Sequence, residues 1–244
     1  MHENDLRAID QTEVRGNYNG RAEIWSEEDK WHSNTHKILI KYLSDFMRDR
    51  RKNELILNAG SASPTVELQR RNVVNLDIAE CLLPRDALST CGSVEMMPFK
   101  DETFDSSVCI GSVVNYCNLI CSIGELCRVL KRGGHLLIEV ETSTSLEYVF
   151  KDMWNTSIDI VHVNYNKTKE KIWLYSVKLV LDTLKFYGLS AYSVSSFNIL
   201  SSFMCALGVH EHIASKMSML DTVAGKVPFL RKAGSNLVVF CKKM

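Results

Sequence analysis

The sequence predicts an α/β fold in which a parallel sheet carries helices on both faces. The main observation is that short apolar segments alternate with segments of helical periodicity between residues 54 and 140, as they do in repeated strand–helix units. The second observation is size and composition. A length of 244 residues, 45% hydrophobic and 24% charged, suits one globular domain, or one domain with an inserted cap. We therefore expect a single domain over residues 31–244.

Residues 1–30 are polar and contain several Gly and Asn residues, and we expect them to form an N-terminal arm or lid. Ser26 and Asp29 have the spacing of a capping box, which predicts a helix start. Two neighbouring apolar stripes then indicate an amphipathic helix. The first stripe is Ile38, Tyr42 and Phe46, and the second is Leu39, Leu43 and Met47.

Strands and helices are predicted to alternate beyond this helix. Apolar segments predict five strands, at residues 54–58, 72–77, 88–93, 104–111 and 135–140. Helices are predicted at residues 64–71 and 122–131. Gly133 follows the second of these helices, and we expect it to end that helix in a left-handed conformation.

The pattern changes after Glu141. Two β-rich segments, at residues 158–165 and 171–175, flank a turn-forming tetrapeptide and predict a hairpin. They are followed by a predicted helix at 177–187, a strand at 189–194, a mostly helical segment at 197–224 and a last strand at 235–241. We expect residues 142–175 and 197–230 to be insertions on the substrate side of the domain.

Composition argues against several classes of protein. Lys plus Arg equals Asp plus Glu at 29 each, whereas a nucleic-acid binder usually has a basic excess. None of the eight cysteines forms a C-x-x-C pair, which argues against zinc and dithiol sites and favours reduced core thiols in a cytoplasmic protein. The polar N-terminus has no secretory signal, and the uncharged runs at 106–124 and 186–209 contain Asn, Gly or Ser, which favours buried elements over membrane spans.

Candidate binding residues follow the predicted strands, because open parallel sheets bind ligands at the carboxyl ends of their strands. The first strand precedes a loop of small residues from Asn58 to Pro64, where a backbone can approach a ligand closely. The second ends in Asp77, nineteen residues after Asn58, a spacing suited to the hydroxyls of a ribose. The third precedes residues 92–99, whose backbone could pair with an adenine edge, and the fourth precedes Gly111 and Ser112.

Two longer motifs occur in the right order after these loops. Residues 97–105 read MPFKDETFD, and residues 128–134 read RVLKRGG. With the small-residue loop and Asp77, they resemble the class I S-adenosylmethionine-dependent methyltransferases, especially the small-molecule branch typified by the ubiquinone/menaquinone methyltransferases. The resemblance covers residues 55–141. It implies a Rossmann-like, doubly wound and mostly parallel sheet of seven strands, with an antiparallel last strand and a cap-like insertion after strand five.

The resemblance also implies S-adenosyl-L-methionine as the cofactor and gives each loop a role. Gly60, Gly111 and Ser112 would lie near its methionine part, and Asp77 would hold the ribose. Residues 93–95 would flank the adenine. The full predicted cofactor-binding set is Asn58, Ala59, Gly60, Ser61, Asp77, Ser93, Val94, Glu95, Gly111 and Ser112.

Four positions depart from the family pattern. Asn58 stands in place of the usual acid of the first loop, Ala62 and Pro64 replace its second and third glycines, and Ser93 replaces the adenine-side Asp. These changes motivate an alternative hypothesis, a catalytically inactive member that acts as a cofactor-binding or partner subunit. A nicotinamide-dependent dehydrogenase is disfavoured because no G-x-G-x-x-G motif is present.

The favoured hypothesis is methyl transfer to a small-molecule acceptor of the natural-product or sugar type, with O- or N-methylation left open. Alignment of the acceptor with the sulfonium contributes roughly 7–11 kcal/mol, and a general base is needed only for a poor nucleophile. Candidate bases are His162, His210 and His212; the alternative for each is a surface histidine. No metal site is predicted. Three aromatic residues of the arm and the first helix are expected either to close over the site or to pack elsewhere: Tyr18, Trp25 and Trp31.

Overall fold

The structure is a computed structural model that describes residues 9–21, 24–25, 29–62, 68, 71–165, 168–221 and 230–244. These residues contain nine strands, numbered in chain order. The strands are β1 (Leu55–Ala59), β2 (Asn72–Asp77), β3 (Leu88–Cys91), β4 (Phe104–Cys109), β5 (Leu130–Glu141), β6 (Ile158–Tyr165), β7 (Thr168–Tyr175), β8 (Leu189–Phe197) and β9 (Asn236–Lys243).

Seven of these strands form one sheet in the order β3-β2-β1-β4-β5-β9-β8. Strands β1 to β5 pair in parallel, whereas β9 is antiparallel to both of its neighbours, β5 and β8. The predicted doubly wound sheet with an antiparallel last strand is therefore confirmed. The carboxyl ends of the parallel strands meet at one edge of the sheet, where ligands of such sheets bind.

Helices cover both faces of the sheet. They are α1 (Gln11–Asn19), α2 (Lys30–Arg48), α3 (Leu119–Val129), α4 (Val177–Phe186), α5 (Ile199–Ala206) and α6 (Glu211–Ala214). Leu39 and Leu43 of α2 pack in one core cluster with Ile56 of β1, while the next strand residue, Leu57, packs in a second cluster with Ile123 of α3. Successive strand side chains point to opposite faces, so the two clusters are the two sides of the sheet.

The start of α2 lies later than the sequence predicts. Asp29 is its N-cap, and the Asp29 carboxylate accepts the backbone N–H of His32. Ser26, the predicted cap, lies outside the described residues. So does most of the predicted helix at 64–71. The acid of the predicted capping box is thus itself the capping residue.

The end of α3 also differs from the prediction. The helix ends at Val129, and its chain continues directly into β5. Gly133 has the expected positive φ of 74°, but it lies inside β5, where the pairing with β4 shifts from Phe104↔Leu130 to Ser106↔His135. The left-handed conformation of Gly133 therefore belongs to an irregularity in a strand, a common position for glycine. It does not cap a helix.

The predicted hairpin is confirmed as β6 and β7, which pair over their full length in a separate two-stranded sheet. Its apolar residues Val161, Ile172 and Leu174 form a third core cluster with Val14 of α1 and Tyr148. The hairpin and part of the predicted N-terminal arm therefore pack together.

No helix within the described ranges is long and apolar enough to span a membrane. All eight cysteines are free. Four of them are buried, as predicted for core thiols: Cys109, Cys117, Cys127 and Cys241. Cys81, Cys91 and Cys121 are exposed, so the prediction of core thiols is wrong for these three.

Candidate active site

A cavity of about 490 Å³ opens at the carboxyl edge of the parallel strands. Its floor includes residues that follow β1, β2 and β4, and its walls include residues of α1, α2 and the β6–β7 hairpin. The volume falls within the range of about 300–1,000 Å³ that is usual for small-molecule sites. The cavity therefore has the position and size expected for a ligand site.

Eight of the ten predicted cofactor-binding residues line this cavity: Asn58, Gly60, Ser61, Asp77, Ser93, Val94, Gly111 and Ser112. The other two do not. Ala59 is a core residue with 1% exposure. The Glu95 carboxylate accepts the backbone N–H of Asn118 at 2.6 Å, which ties it to the start of α3. These two residues have structural contacts that account for their placement.

The loop after β1 requires glycine at its first turn. Gly60 has a φ of 75°, and its N–H donates to the Leu76 carbonyl oxygen at 2.8 Å. A Cβ at this position would lie 2.2 Å from Cγ2 of Val113, so no side chain fits without movement. The next residue, Ser61, is 3% exposed, and its hydroxyl has no hydrogen-bond partner among the described residues. A buried polar group of this kind suits a polar ligand.

Asp77 ends β2 at the cavity and is 5% exposed. Its carboxylate accepts the Ala79 backbone N–H at 2.8 Å. Burial raises the pKa of Asp77, although backbone hydrogen bonds from Ala79, Ala62 and Ile78 act in the opposite direction. These contacts hold a carboxylate at the cavity wall.

Asn58 has a structural partner that the sequence did not reveal. Its side-chain amide donates to the Asn75 Oδ1 at 3.1 Å, and the Asn75 amide donates in turn to the Leu88 carbonyl oxygen at 3.3 Å. These two bonds link β1, β2 and β3. The position of the family's usual acid is therefore used here to join three strands beside the cavity.

The loop after β4 is held by a buried carboxylate. Gly111 and Ser112 have φ values of 89° and 59°, and their backbone N–H groups donate to Glu139 Oε2 at 2.9 and 2.7 Å. Asn236 donates to the other oxygen of Glu139 at 2.7 Å. Glu139 is fully buried, and three charge-assisted hydrogen bonds offset the cost of its burial.

Glu141 is a cavity residue that the sequence analysis did not select. Its Oε1 accepts the hydroxyl of Ser112 at 2.5 Å. Burial raises the pKa of Glu141 to about 7. The hydrogen bond from Ser112 and the charge of His32 lower it, and repulsion from Glu139 and Glu147 raises it. The sequence did contain a signal for Glu141, because it directly follows the last residue of the predicted fifth strand. Residues in that position lie at the edge of a parallel sheet where ligands bind.

The predicted histidines are divided between the cavity and the surface. His162 of β6 lines the cavity, whereas His210 and His212 do not. Both of these are exposed, and the His210 ring caps α6 by accepting the His212 backbone N–H. The remaining cavity histidines come from α2, where His32 and His36 were not selected from the sequence.

His32 forms a dyad with Asp29. The distance from His32 Nδ1 to Asp29 Oδ2 is 2.7 Å. Burial raises the pKa of Asp29, but the hydrogen bonds and charge of His32 outweigh burial and leave that pKa below its usual value. An acid three residues before a histidine at a helix start was the available sequence signal, because residues three apart lie on the same side of a helix.

An ion pair lies within an aromatic cluster whose tyrosines line the cavity. Arg21 pairs with Glu170 of β7, and its guanidinium lies 4.2 Å from the ring centroid of Tyr18 and 4.4 Å from that of Tyr165. The Tyr116 hydroxyl donates to the other oxygen of Glu170 at 2.6 Å. Tyr18, Trp25 and Trp31, the predicted closing residues, all line the cavity.

Comparison with known proteins agrees with this geometry. Residues 57–138, about a third of the chain, match a family model described as a methyltransferase domain. The match runs from β1 into β5 and so includes the loops that line the cavity floor.

One curated relative, an uncharacterised protein of Methanocaldococcus jannaschii, is 30% identical over 145 residues. The aligned region covers 51% of this chain and 64% of the relative.

Two solved structures show the same fold across nearly the whole chain. The geranyl diphosphate C-methyltransferase of Streptomyces coelicolor, solved with Mg²⁺, geranyl diphosphate and S-adenosyl-L-homocysteine, is 11% identical, has a TM-score of 0.62, and is matched over 96% of this chain and 98% of its own. The 1,6-didemethyltoxoflavin-N1-methyltransferase of Burkholderia thailandensis, with bound S-adenosylhomocysteine, is 11% identical, has a TM-score of 0.53, and is matched over 96% and 87%.

The two solved structures contain S-adenosylhomocysteine, and the cavity of this chain has groups that fit the predicted cofactor, S-adenosylmethionine. The buried hydroxyl of Ser61, which has no partner among the described residues, supplies a polar group beside the Gly60 turn. The Asp77 carboxylate supplies a hydrogen-bond acceptor at the cavity wall, as the predicted contact with a ribose diol requires. Gly60 and Gly111 have positive φ values, a conformation that favours glycine. Because glycine has no side chain, a ligand can approach the loop backbone closely at both positions.

Proposed function

We propose that the protein transfers the methyl group of S-adenosylmethionine to a small-molecule acceptor. The observation that carries the proposal is that eight predicted cofactor-binding residues, from four separate loops, line one cavity. The two motifs shared with the small-molecule branch of the family support the choice of acceptor size. The same cavity is also lined by residues of the β6–β7 hairpin and of the turn after β5, none of which belongs to the predicted cofactor-binding set.

In the proposed complex, Asp77 holds the ribose, Ser93 and Val94 flank the adenine, and Gly60, Ser61, Gly111 and Ser112 border the methionine part. When bound, the cofactor supplies an electrophilic methyl group on a sulfonium. The chain's own contribution is mainly orientation, because a well-aligned acceptor gains roughly 7–11 kcal/mol. The tyrosines that surround the Arg21–Glu170 pair line the cavity and would help to exclude water during transfer.

Residues 142–175 and 197–230 are proposed to form the acceptor side. Their described parts contribute several cavity residues, namely Glu147, Tyr148, Lys151, Met153, Ile160, Val161, His162, Val163, Asn164, Tyr165, Ile172, Cys205 and Glu211. The acceptor would therefore contact mainly residues outside the matched domain. This division is typical of folds in which one scaffold serves many substrates.

Cofactor binding provides the first test. S-adenosylmethionine and S-adenosylhomocysteine should raise the melting temperature and NAD should not; at a hundredfold excess over Kd the stabilisation is about 2.7 kcal/mol. Asp77→Ala and Asp77→Asn should both lose this shift. The Asn variant keeps an acceptor for the Ala79 N–H, so it separates loss of charge from loss of local structure. Asp86→Ala, an exposed acid on the loop before β3, is the matched control.

Turnover provides the second test. An acceptor screen with methyl-labelled S-adenosylmethionine should transfer label to a small molecule in an Asp77-dependent manner. Cofactor binding without transfer to any acceptor would instead favour the inactive-subunit hypothesis. Absence of binding at millimolar cofactor would contradict the proposal as a whole.

A further inference from the structure

The carboxylates of Glu139 and Glu141 in β5 accept different numbers of hydrogen bonds. The two residues are two positions apart and so point to the same side of the strand. Glu139 accepts three hydrogen bonds and holds the loop after β4. The Glu141 carboxylate accepts one hydrogen bond among the described residues, from Ser112, and it lines the cavity. The Glu141 carboxylate can therefore accept further hydrogen bonds from a ligand in the cavity.

The surroundings of Glu141 are acidic. Among the described lining residues, the carboxylates are Asp77, Glu141, Glu147 and Glu211, and Lys151 is the single Lys or Arg. Asp77 is proposed to hold the ribose, so three lining carboxylates remain for an acceptor. The groups that act on the Glu141 charge are Ser112, Glu139 and Glu147, and His32 of α2. An incompletely paired carboxylate in such a place favours a cationic ligand.

Aromatic residues border the same region. Tyr148 is buried, and the Lys151 ammonium lies 5.1 Å from its ring centroid. Trp25 stacks on His36, with ring centroids 4.6 Å apart, and its ring lies 3.4 Å from the position of a Cβ built on Gly111. Aromatic faces attract cations and pack well against aryl groups. The region therefore suits an amine that carries an apolar or aromatic body.

Resting on the proposed methyl transfer, we propose that the acceptor is a small amine and that Glu141 binds its ammonium group and takes its proton. Ser112 links Glu141 to the loop that borders the methionine part of the cofactor, so the bound nitrogen would lie next to the reacting methyl group. Glu147 would add a second carboxylate to the ammonium site, and the aromatic residues would hold the rest of the molecule.

The atoms of this step balance. An N–H bond of the ammonium breaks, and its proton forms an O–H bond with the Glu141 carboxylate. The freed nitrogen lone pair then forms the new N–C bond while the S–C bond breaks, and that electron pair stays on sulfur. The products are a methylated ammonium and S-adenosylhomocysteine, and Glu141 returns the proton to water. A pKa of about 7 suits a carboxyl that both accepts and releases a proton near neutral pH.

Paired probes test the proposal directly. 2-Phenylethylamine and tryptamine are each compared with the isosteric alcohol, 2-phenylethanol or tryptophol. Binding to the protein saturated with S-adenosylhomocysteine is measured by calorimetry, and label transfer is measured in parallel. The amines should bind about ten- to a hundredfold more tightly than the alcohols, as a charge-assisted hydrogen bond predicts, and only the amines should be methylated.

Glu141→Gln should remove this preference for amines and reduce methylation by a similar or greater factor. It should leave the affinity for S-adenosylhomocysteine nearly unchanged, because the Gln carbonyl can still accept the Ser112 hydroxyl. Glu80→Gln, an exposed acid outside the cavity, makes the same change of charge and should have no effect on any readout.

The outcomes separate the two proposals. If S-adenosylhomocysteine does not bind the wild-type protein, the proposed function fails. If it binds but the amines show no preference over the alcohols, or do not bind at millimolar concentration, only the amine proposal is overturned. Methylation confined to the alcohols and lost in His32→Asn would identify the His32–Asp29 dyad as the base for a hydroxyl acceptor, and this also overturns it.

Discussion

Gly60 shows how one residue links backbone conformation to the proposed cofactor site. Its positive φ alone disfavours a side chain, and the nearby Val113 leaves no room for a Cβ. Two separate penalties therefore act at this position: strain of the left-handed conformation and overpacking against a neighbour. The chain offers a comparison, because Gly188 has a similar φ of 79° with no heavy atom within 4 Å of a built Cβ.

We expect Gly60→Ala to destabilise the protein by about 1–3 kcal/mol more than Gly188→Ala, since it adds overpacking to the left-handed strain of about 1–2 kcal/mol that both share. Gly60→Ala should also weaken S-adenosylhomocysteine binding, because Val113 and the loop after β4 must move. Urea unfolding and calorimetry measure the two effects. Equal losses of stability in the two variants would show that the Val113 side chain can move away from the added methyl group without lowering the free energy of unfolding.

A cavity residue could be predicted from the sequence only where a local sequence pattern indicates its position. Asp77, Gly111 and Ser112 were found because the carboxyl ends of parallel strands share one edge. Glu141 and His32 were missed because their approach to the cavity depends on how β5 and α2 pack against the rest of the chain. Glu139 and Glu141 accept different numbers of hydrogen bonds, and their donors lie 27 to 97 positions away in the sequence. No local sequence pattern indicates contacts between such distant residues.

At the scale of elements, one buried ion pair joins three segments beside the cavity. Arg21 follows α1, Glu170 belongs to β7, and Tyr116 follows β4. The side chains of Arg21 and Glu170 are 8% and 3% exposed. Removing one partner of such a pair leaves a buried charge uncompensated, and this usually costs about 3–5 kcal/mol.

We therefore expect Glu170→Gln to release α1 from the hairpin and to increase hydrogen exchange of the α1 amides, with little change in the exchange of the central strands. Local opening of this kind costs less than global unfolding. Asp182→Asn is the control: it breaks the exposed Lys178–Asp182 pair, and such pairs contribute at most about 1 kcal/mol. Unchanged protection of α1 in Glu170→Gln would show that apolar packing alone holds α1 against the hairpin.

Elements were predictable where hydrophobic periodicity was strong. The strands β2 and β6 have their predicted bounds, α2 occurs where two apolar stripes indicated a helix, and α4 ends one residue before its predicted end. The errors lie at junctions. Residues 130–134 were predicted to be a helix end with a glycine cap, yet they form the irregular start of β5, because the register with β4 decides the conformation there. Pairing between distant strands is not visible in a local pattern.

At the scale of the whole molecule, buried and partly buried acids are concentrated around the cavity. The pKa values of Asp77, Glu139, Glu141 and Glu147 are all raised, and burial is the largest cause for each. Three other acids have lowered pKa values: Asp29, Asp105 and Glu125. The two groups act on stability in opposite directions and in different ranges of pH.

The sign follows from proton binding in the two states. A raised acid pKa means that the native state binds more protons than the unfolded state between the two pKa values, so the free energy of unfolding falls as pH rises through that window. For Glu141 the window runs from the ordinary value of 4.5 to about 7. The acids with lowered pKa values lose their stabilising contribution only as pH falls below about 4.

We therefore expect the cofactor-free protein to be most stable near pH 5 and to lose stability toward pH 7.5. At about 1.4 kcal/mol per pKa unit, Glu141 alone contributes about 2–3 kcal/mol to this loss. Urea unfolding at pH 5 and pH 7.5 measures the difference, and Glu141→Gln should reduce it while Glu80→Gln should not. Stability that rises between these two pH values would mean that water or a neighbouring cation already compensates the acids of the cavity. An amine bound at Glu141 should have the opposite effect and restore stability at pH 7.5, because it pairs with the charge that burial disfavours.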